Sequence, residues 1–284
     1  MVEQKPLLFT LFRVQAHFPE QMTLLGDLTT PADIIRAALL EKPSDGAHGA
    51  SWRIGNVTEL PPNGLYFAIG KEQPKNIGSV DGLGDFHNQA TIVAPNTHAV
   101  IDLGYQVIAI ANNAELSSAP KAVANKLQKL MQATDVVRNH STKITIELIT
   151  DPTDFVEILA AAEAVTKFQV TYGLPNVWDV EQDFQKPMQD TSRAMGADQA
   201  TATFSGEDLD RDNLIKLARA SSAVGKRSKA WVKRSKKQKP VPVSQKENPV
   251  TLSAERPEES QPVRWGKEIV KLIRELYKSV RLGD

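Results

Sequence analysis

Residues 143–176, KITIELITDPTDFVEILAAAEAVTKFQVTYGLPN, carry the reading that decides the fold. Ile144, Ile146 and Leu148 alternate with Thr145 and Glu147, the period-two pattern of a strand that covers a core with one face. Asp151-Pro152 opens a helix on which Phe155, Leu159 and Ala162 fall on one side. KFQVTYG then returns to strand periodicity and stops at Leu174-Pro175-Asn176, which is turn chemistry. Strand, helix and strand in this order, with a connection of this length, form a βαβ-type or split-sheet unit and should be the hydrophobic centre of the protein.

Working outward towards the N-terminus, β-rich runs ATIVA, HAVIDL and YQVIAIA occur between Gln89 and Ala111, punctuated by Pro95-Asn96 and Gly104, and predict an antiparallel meander. A helix is expected over Pro120 to Ala133, with Val123, Leu127, Leu130 and Met131 on one face and Ser118 as its cap. Ser51–Glu59 and Gly64–Ile69, joined by Pro61-Pro62-Asn63-Gly64, read as a hairpin, and residues 78–85 as a loop. Leu7–Val14 is a strand, and Thr30-Pro31 with Asp33 starts a helix to residue 41. Towards the C-terminus a short helix is expected near residues 180–184, a strand over 201–204, and a helix over 207–221 that begins in acids and ends in Lys216 and Arg219. Ala230-Trp231-Val232-Lys233 and Val241-Pro242-Val243 flank a lysine turn as a hairpin. Residues 247–262 are polar with three prolines and read as a flexible connector. An amphipathic helix closes the sequence to Leu282, with Ile269, Leu272, Ile273, Leu276, Tyr277 and Val280 as its stripe. The fold class is α+β: a mixed or antiparallel sheet domain with packed helices over residues 1–200, then a basic unit over 201–284 holding the hairpin and the C-terminal helix.

Charge gives the functional signal. The 34 basic and 34 acidic residues cancel over the whole chain, yet residues 1–212 hold 16 Lys plus Arg against 27 Asp plus Glu, and residues 213–284 hold 18 against 7. From Asn213 to Lys246 there are eleven basic side chains and no acid. Such asymmetry points to a polyanion. Lys226, Arg227, Lys229, Lys233, Arg234, Lys236, Lys237 and Lys239 are the expected phosphate contacts, and Trp231 among them would stack on an exposed base. The plainer reading of the run is a solvated lysine turn. No helix-turn-helix, zinc-finger or RNP pattern accompanies it, so the expected binding is nonspecific.

Other chemistry finds little footing. The chain has no cysteine, which excludes disulfides, thiol nucleophiles and Cys-type zinc sites. The five histidines are scattered singly, Asp208 to Asp212 lacks the glycine and glutamate of an EF-hand, and no phosphate-binding glycine loop or serine elbow occurs. We therefore expect no catalytic residue, no metal and no cofactor. Glu147, Asp151, Asp154, Glu157 and Lys167 keep one enzyme open, a metal-dependent nuclease. The N-terminus lacks the pattern of a signal peptide and no window is apolar enough to span a bilayer, so a soluble cytoplasmic protein without an integral membrane segment is expected. The terminal helix suggests a homodimer, with packing against its own domain as the alternative. A further possibility is a protein-interaction subunit whose helix docks on an effector protein.

The order of the meander with YQVIAIANN, a helix, TKITIELI, DPTDFVEILAAAEAVTKFQVTYGLPN, a charged hairpin and a terminal helix resembles RexA-like phage-exclusion proteins and similar proteins found near bacterial phage-defence genes. The resemblance covers residues 85–245. It implies a dimeric, non-enzymatic DNA-binding protein that senses phage infection and signals to a partner, and it carries over no catalytic residue.

Overall fold

A computed structural model describes residues 5–18, 30–46, 51–80, 82–173, 194–197, 199–256 and 262–283. The short helix expected near residues 180–184 lies outside the described residues. Among the described residues, six helices and twelve strands in two antiparallel sheets make an α+β protein with a long C-terminal helix.

The larger sheet is organised around β1 (Leu7–His17), which is buried on both faces because both are covered, with Thr10, Arg13 and Gln15 buried among its apolar residues. One edge of β1 pairs with β6 (Val107–Ala111), and the other with β7 (Lys143–Leu148) and β12 (Thr251–Ala254) in succession. Beyond β6 lie β5 (Asn96–Asp102), β3 (Gly64–Val80) and β2 (Ser51–Leu60), and the outer half of β3 pairs with β4 (Phe86–Val93). Phe12, Val14 and Ala16 point to one face, where α1 (Pro31–Leu40), α2 (Pro120–Gln132) and α3 (Asp135–Asn139) close a core with Ile34, Leu39, Leu127 and Met131. Thr30 caps α1 in a reciprocal box with Asp33, as its Thr-Pro-x-Asp sequence requires. Leu7, Phe9 and Leu11 point to the opposite face.

That opposite face is covered by α6 (Pro262–Leu282), whose Trp265, Ile269, Ile273 and Tyr277 are buried on Phe9, Leu11, Tyr66 and Val107. The apolar stripe is thus satisfied within its own chain, so the terminal helix does not offer a free face for a second copy. Arg274 of α6 reaches the fully buried Asp102, whose carboxylate also accepts the Gly104 and Tyr105 amides at 2.8 and 3.0 Å.

The smaller sheet has the order β11 (Val241–Ser244), β10 (Ser228–Lys233), β8 (Ala164–Gly173), β9 (Gln199–Ser205). Helices α4 (Thr153–Ala161) and α5 (Arg211–Ala223) cover one face, burying Phe155, Leu159, Leu214 and Ala218 on Val165, Phe168, Ala230 and Val232. The two strands of residues 143–176 therefore enter different sheets, and α4 bridges them instead of completing a βαβ unit. Residues 164–173, ahead of the expected break at 200, join the basic hairpin, while residues 251–254 and 262–282 return to the larger sheet. Gln245 is buried at the junction, bonding the Ser228 amide, the Thr150 hydroxyl at 3.2 Å and the Ser222 hydroxyl.

Several local expectations are corrected. Residues 78–80 continue β3 and Phe86 begins β4, so the expected loop is the tip of a hairpin. The polar 247–262 segment contains β12, a strand on β1. Helix α2 has Ala119 at its cap position without a side-chain bond, and the Ser117 hydroxyl, not Ser118, accepts the Ala119 amide at 3.2 Å. Helix α5 starts at Arg211, because Asp210 accepts the Asn213 amide at 2.9 Å as its cap.

Candidate nucleic-acid interface

Strand β10 alternates buried Ser228, Ala230 and Val232 with half-buried Lys229, Trp231 and Lys233. Pairing extends this second set across the face that the helices leave bare, since directly opposed residues share a side of a sheet. One transverse row reads Ser244, Lys229, Gln169, Thr203, and the next Pro242, Trp231, Lys167, Ser205. Thr171 and Thr201 follow, their hydroxyls 3.4 Å apart. None of these residues is acidic. The Lys167 and Lys229 ammonium groups stand 4.6 and 4.9 Å from the centre of the Trp231 ring, so two cations gather at one aromatic ring.

A register shift beside Trp231 leaves Thr166 as the extra residue of β8, and its hydroxyl donates to the Trp231 carbonyl at 3.3 Å. Bulges of this kind re-aim neighbouring side chains, and here it places Lys167 opposite Trp231. Asp208 holds the same end of β8 by accepting the Val165 amide at 3.1 Å. The acids of residues 208–212 are thereby a helix start that anchors the sheet.

The β10–β11 turn extends the basic face. Arg234, Lys236, Lys237 and Lys239 are all exposed on it. Lys236 reaches Glu163 only at 3.9 Å, and among the described residues Arg234, Lys237 and Lys239 make no ion pair. The remaining two of the nine singled-out residues are engaged differently. Lys226 pairs with Glu147 at 3.0 Å where the two sheets meet, and Arg227 lies 3.5 Å from Glu247. A hydrogen bond from Lys121, then that ammonium's charge and the Arg227 guanidinium, hold the Glu247 carboxyl below its ordinary value of 4.5 against a small burial effect.

Four of the five groups that kept a nuclease open, Glu157 being the fifth, have partners of their own. Glu147 is on Lys226, Asp151 accepts the Thr153 amide at 2.9 Å, Asp154 meets Lys246 at 3.0 Å, and Lys167 faces Trp231. Among the described residues no group of three or more His, Asp or Glu is arranged to hold a metal ion. Likewise no helix of the described residues is long and apolar enough to cross a membrane.

The hairpin and Trp231 were legible from the sequence, whereas Gln169, Thr171, Thr201, Thr203 and Ser205 were not singled out. Their signal was present as period-two polarity in KFQVTYG and ATATFS, but only the pairing shows that both runs face the same way as Trp231. A scan against protein-family models gives no match to this chain, and a search of curated proteins gives none either.

Proposed function

We propose that the protein binds nucleic acid, DNA in the first instance, through the open face of the smaller sheet and the adjoining β10–β11 turn, without reading base sequence. The observation that carries this is the acid-free sheet face on which Lys167 and Lys229 gather at Trp231, continuous with the cations of residues 233–239. Lysines there neutralise phosphates and release counterions, hydroxyls and amides of Thr201, Thr203, Ser205 and Gln169 donate to the backbone, and Trp231 supplies one stacking plane. Four strands at about 4.8 Å make a platform roughly 15 to 20 Å wide, enough to follow a few nucleotides. The proposed setting is the cytoplasm, as a sensor in a phage-exclusion system, and that setting rests on the resemblance over residues 85–245 alone.

Replacing Lys233, Arg234, Lys236, Lys237 and Lys239 together by Gln is expected to weaken binding to duplex DNA. It should also reduce the dependence of log affinity on log salt by about 0.9 for each phosphate contact removed. Trp231→Ala, tested on a single-stranded oligonucleotide, is expected to cost about 1 to 3 kcal/mol for one lost stacking contact. Unchanged affinity and salt slope in the five-fold variant would overturn the proposal.

A further inference from the structure

We propose that the β3–β4 ribbon is the surface through which two copies of this chain associate. Among the described residues β3 pairs beyond Gln73 only with β4, so the hairpin extends from the larger sheet with no third described strand beside it. Opposed pairs sort its residues onto two faces. Gln73 with Val93, Lys75 with Thr91, Ile77 with Gln89, and Ser79 with His87 make one face largely polar. Pro74 with Ile92, Asn76 with Ala90, Gly78 with Asn88, and Val80 with Phe86 make the other largely apolar. On that second face Val80 is 58%, Ile92 75% and Phe86 87% exposed, and Leu83 at the tip is 90% exposed. An amphipathic ribbon of two strands is marginally stable on its own in water and gains a core only when its apolar face is covered.

Charge and area select the occupant. From Asn76 to Val80 and from Phe86 to Val93 there is no Asp, Glu, Lys or Arg. The face thus offers nothing to a polyanion or to a charged peptide, and meets no repulsion from an identical face. Among the described residues the outer edge of β4 pairs with no further strand, and it lacks the charges and prolines with which exposed edges are usually blocked. A second copy brings both a matching apolar face and a matching edge, in the self-complementary arrangement of a two-fold contact. At roughly 60 to 120 Å² of apolar area for each aliphatic side chain, and more for Phe86, two ribbons face to face remove on the order of 1,000 Å² from water, where specific interfaces begin.

The experiment is independent of nucleic-acid binding, because it uses the full chain freed of nucleic acid at high salt. Light scattering at micromolar concentration is expected to give a dimeric mass, and Phe86→Lys with Ile92→Lys to give a monomer of unchanged circular dichroism. A monomeric parent, with the ribbon then left to a different protein, overturns the proposal, as does a variant that stays dimeric. Should the double variant lose its fold, cross-linking decides. The chain contains no cysteine, so Asn88→Cys on β4 should cross-link two copies with a short bismaleimide while Lys129→Cys on α2 should not. Absent cross-linking at residue 88, or equal cross-linking from both positions, overturns it.

Discussion

Gly225 shows how much one residue decides. It ends α5 with φ +74°, and a Cβ there would lie 2.4 Å from the Glu147 Cβ and 3.1 Å from the Leu148 carbonyl oxygen. Gly225→Ala would strain the left-handed backbone by about 1 kcal/mol and force β7 away, so a total loss of about 2 kcal/mol or more is expected in urea unfolding. A variant as stable as the parent would contradict the close approach. The glycine is plain in the sequence, but its partner comes from a distant strand, and no local pattern names Glu147 as the neighbour. His98 makes a second case. Its Nδ1 lies 2.9 Å from the Tyr66 hydroxyl with Trp265 edge-on beside it, and burial, reinforced by the Arg256 charge, lowers its pKa from 6.5. The unfolded chain then takes up the proton more readily than the folded one. The associated stability is complete above pH 6.5 and is lost as pH falls through the depressed folded value. The urea midpoint should fall as pH is lowered below 6.5, and His98→Gln should flatten that part of the profile. An identical profile in the variant would show that His98 is not its source.

At the scale of elements, α6 was legible as a helix from its period and not as to what it covers. The i, i+3, i+4 stripe states that a face must be buried, and only the larger sheet shows that the burial is within the chain. Ile273→Ala is expected to cost about 2 to 5 kcal/mol in urea unfolding, and Lys278→Ala on the solvent side less than about 0.5 kcal/mol. Equal costs would mean that the helix does not dock as described. The same reasoning explains the other differences. Strands 143–148 and 164–173 were both visible from alternation, but alternation does not say which sheet a strand joins. Strand β12 has only four residues within a polar, proline-containing stretch, and it is a strand because β1 offers Leu7 to Thr10 as a template. Conversely, the β5–β6 part of the expected meander and the first hairpin were readable because their turns are short and fix the pairing themselves, whereas β4 pairs with the outer half of β3 and not with β5.

For the whole molecule, the cancelling net charge conceals a division of labour in which acids serve as partners and caps within the structure while the exposed turn keeps its lysines. The basic hairpin was readable because it is local. The platform beside it was not, because β8 and β9 reach Trp231 from segments that lie before the basic run and before α5. One pairing also reaches into how the chain is made. Leu7 to Thr10 meet residues 251–254, and the Leu11 amide donates to the Val250 carbonyl, so the outer edge of β1 beside β7 is incomplete until that late segment arrives. At bacterial or eukaryotic synthesis rates of about 5 to 20 residues per second, the ribosome needs on the order of ten to fifty seconds to travel between them. Throughout that interval an apolar strand edge stands open on the nascent chain, which makes β1 the segment that a holding chaperone would cover during translation.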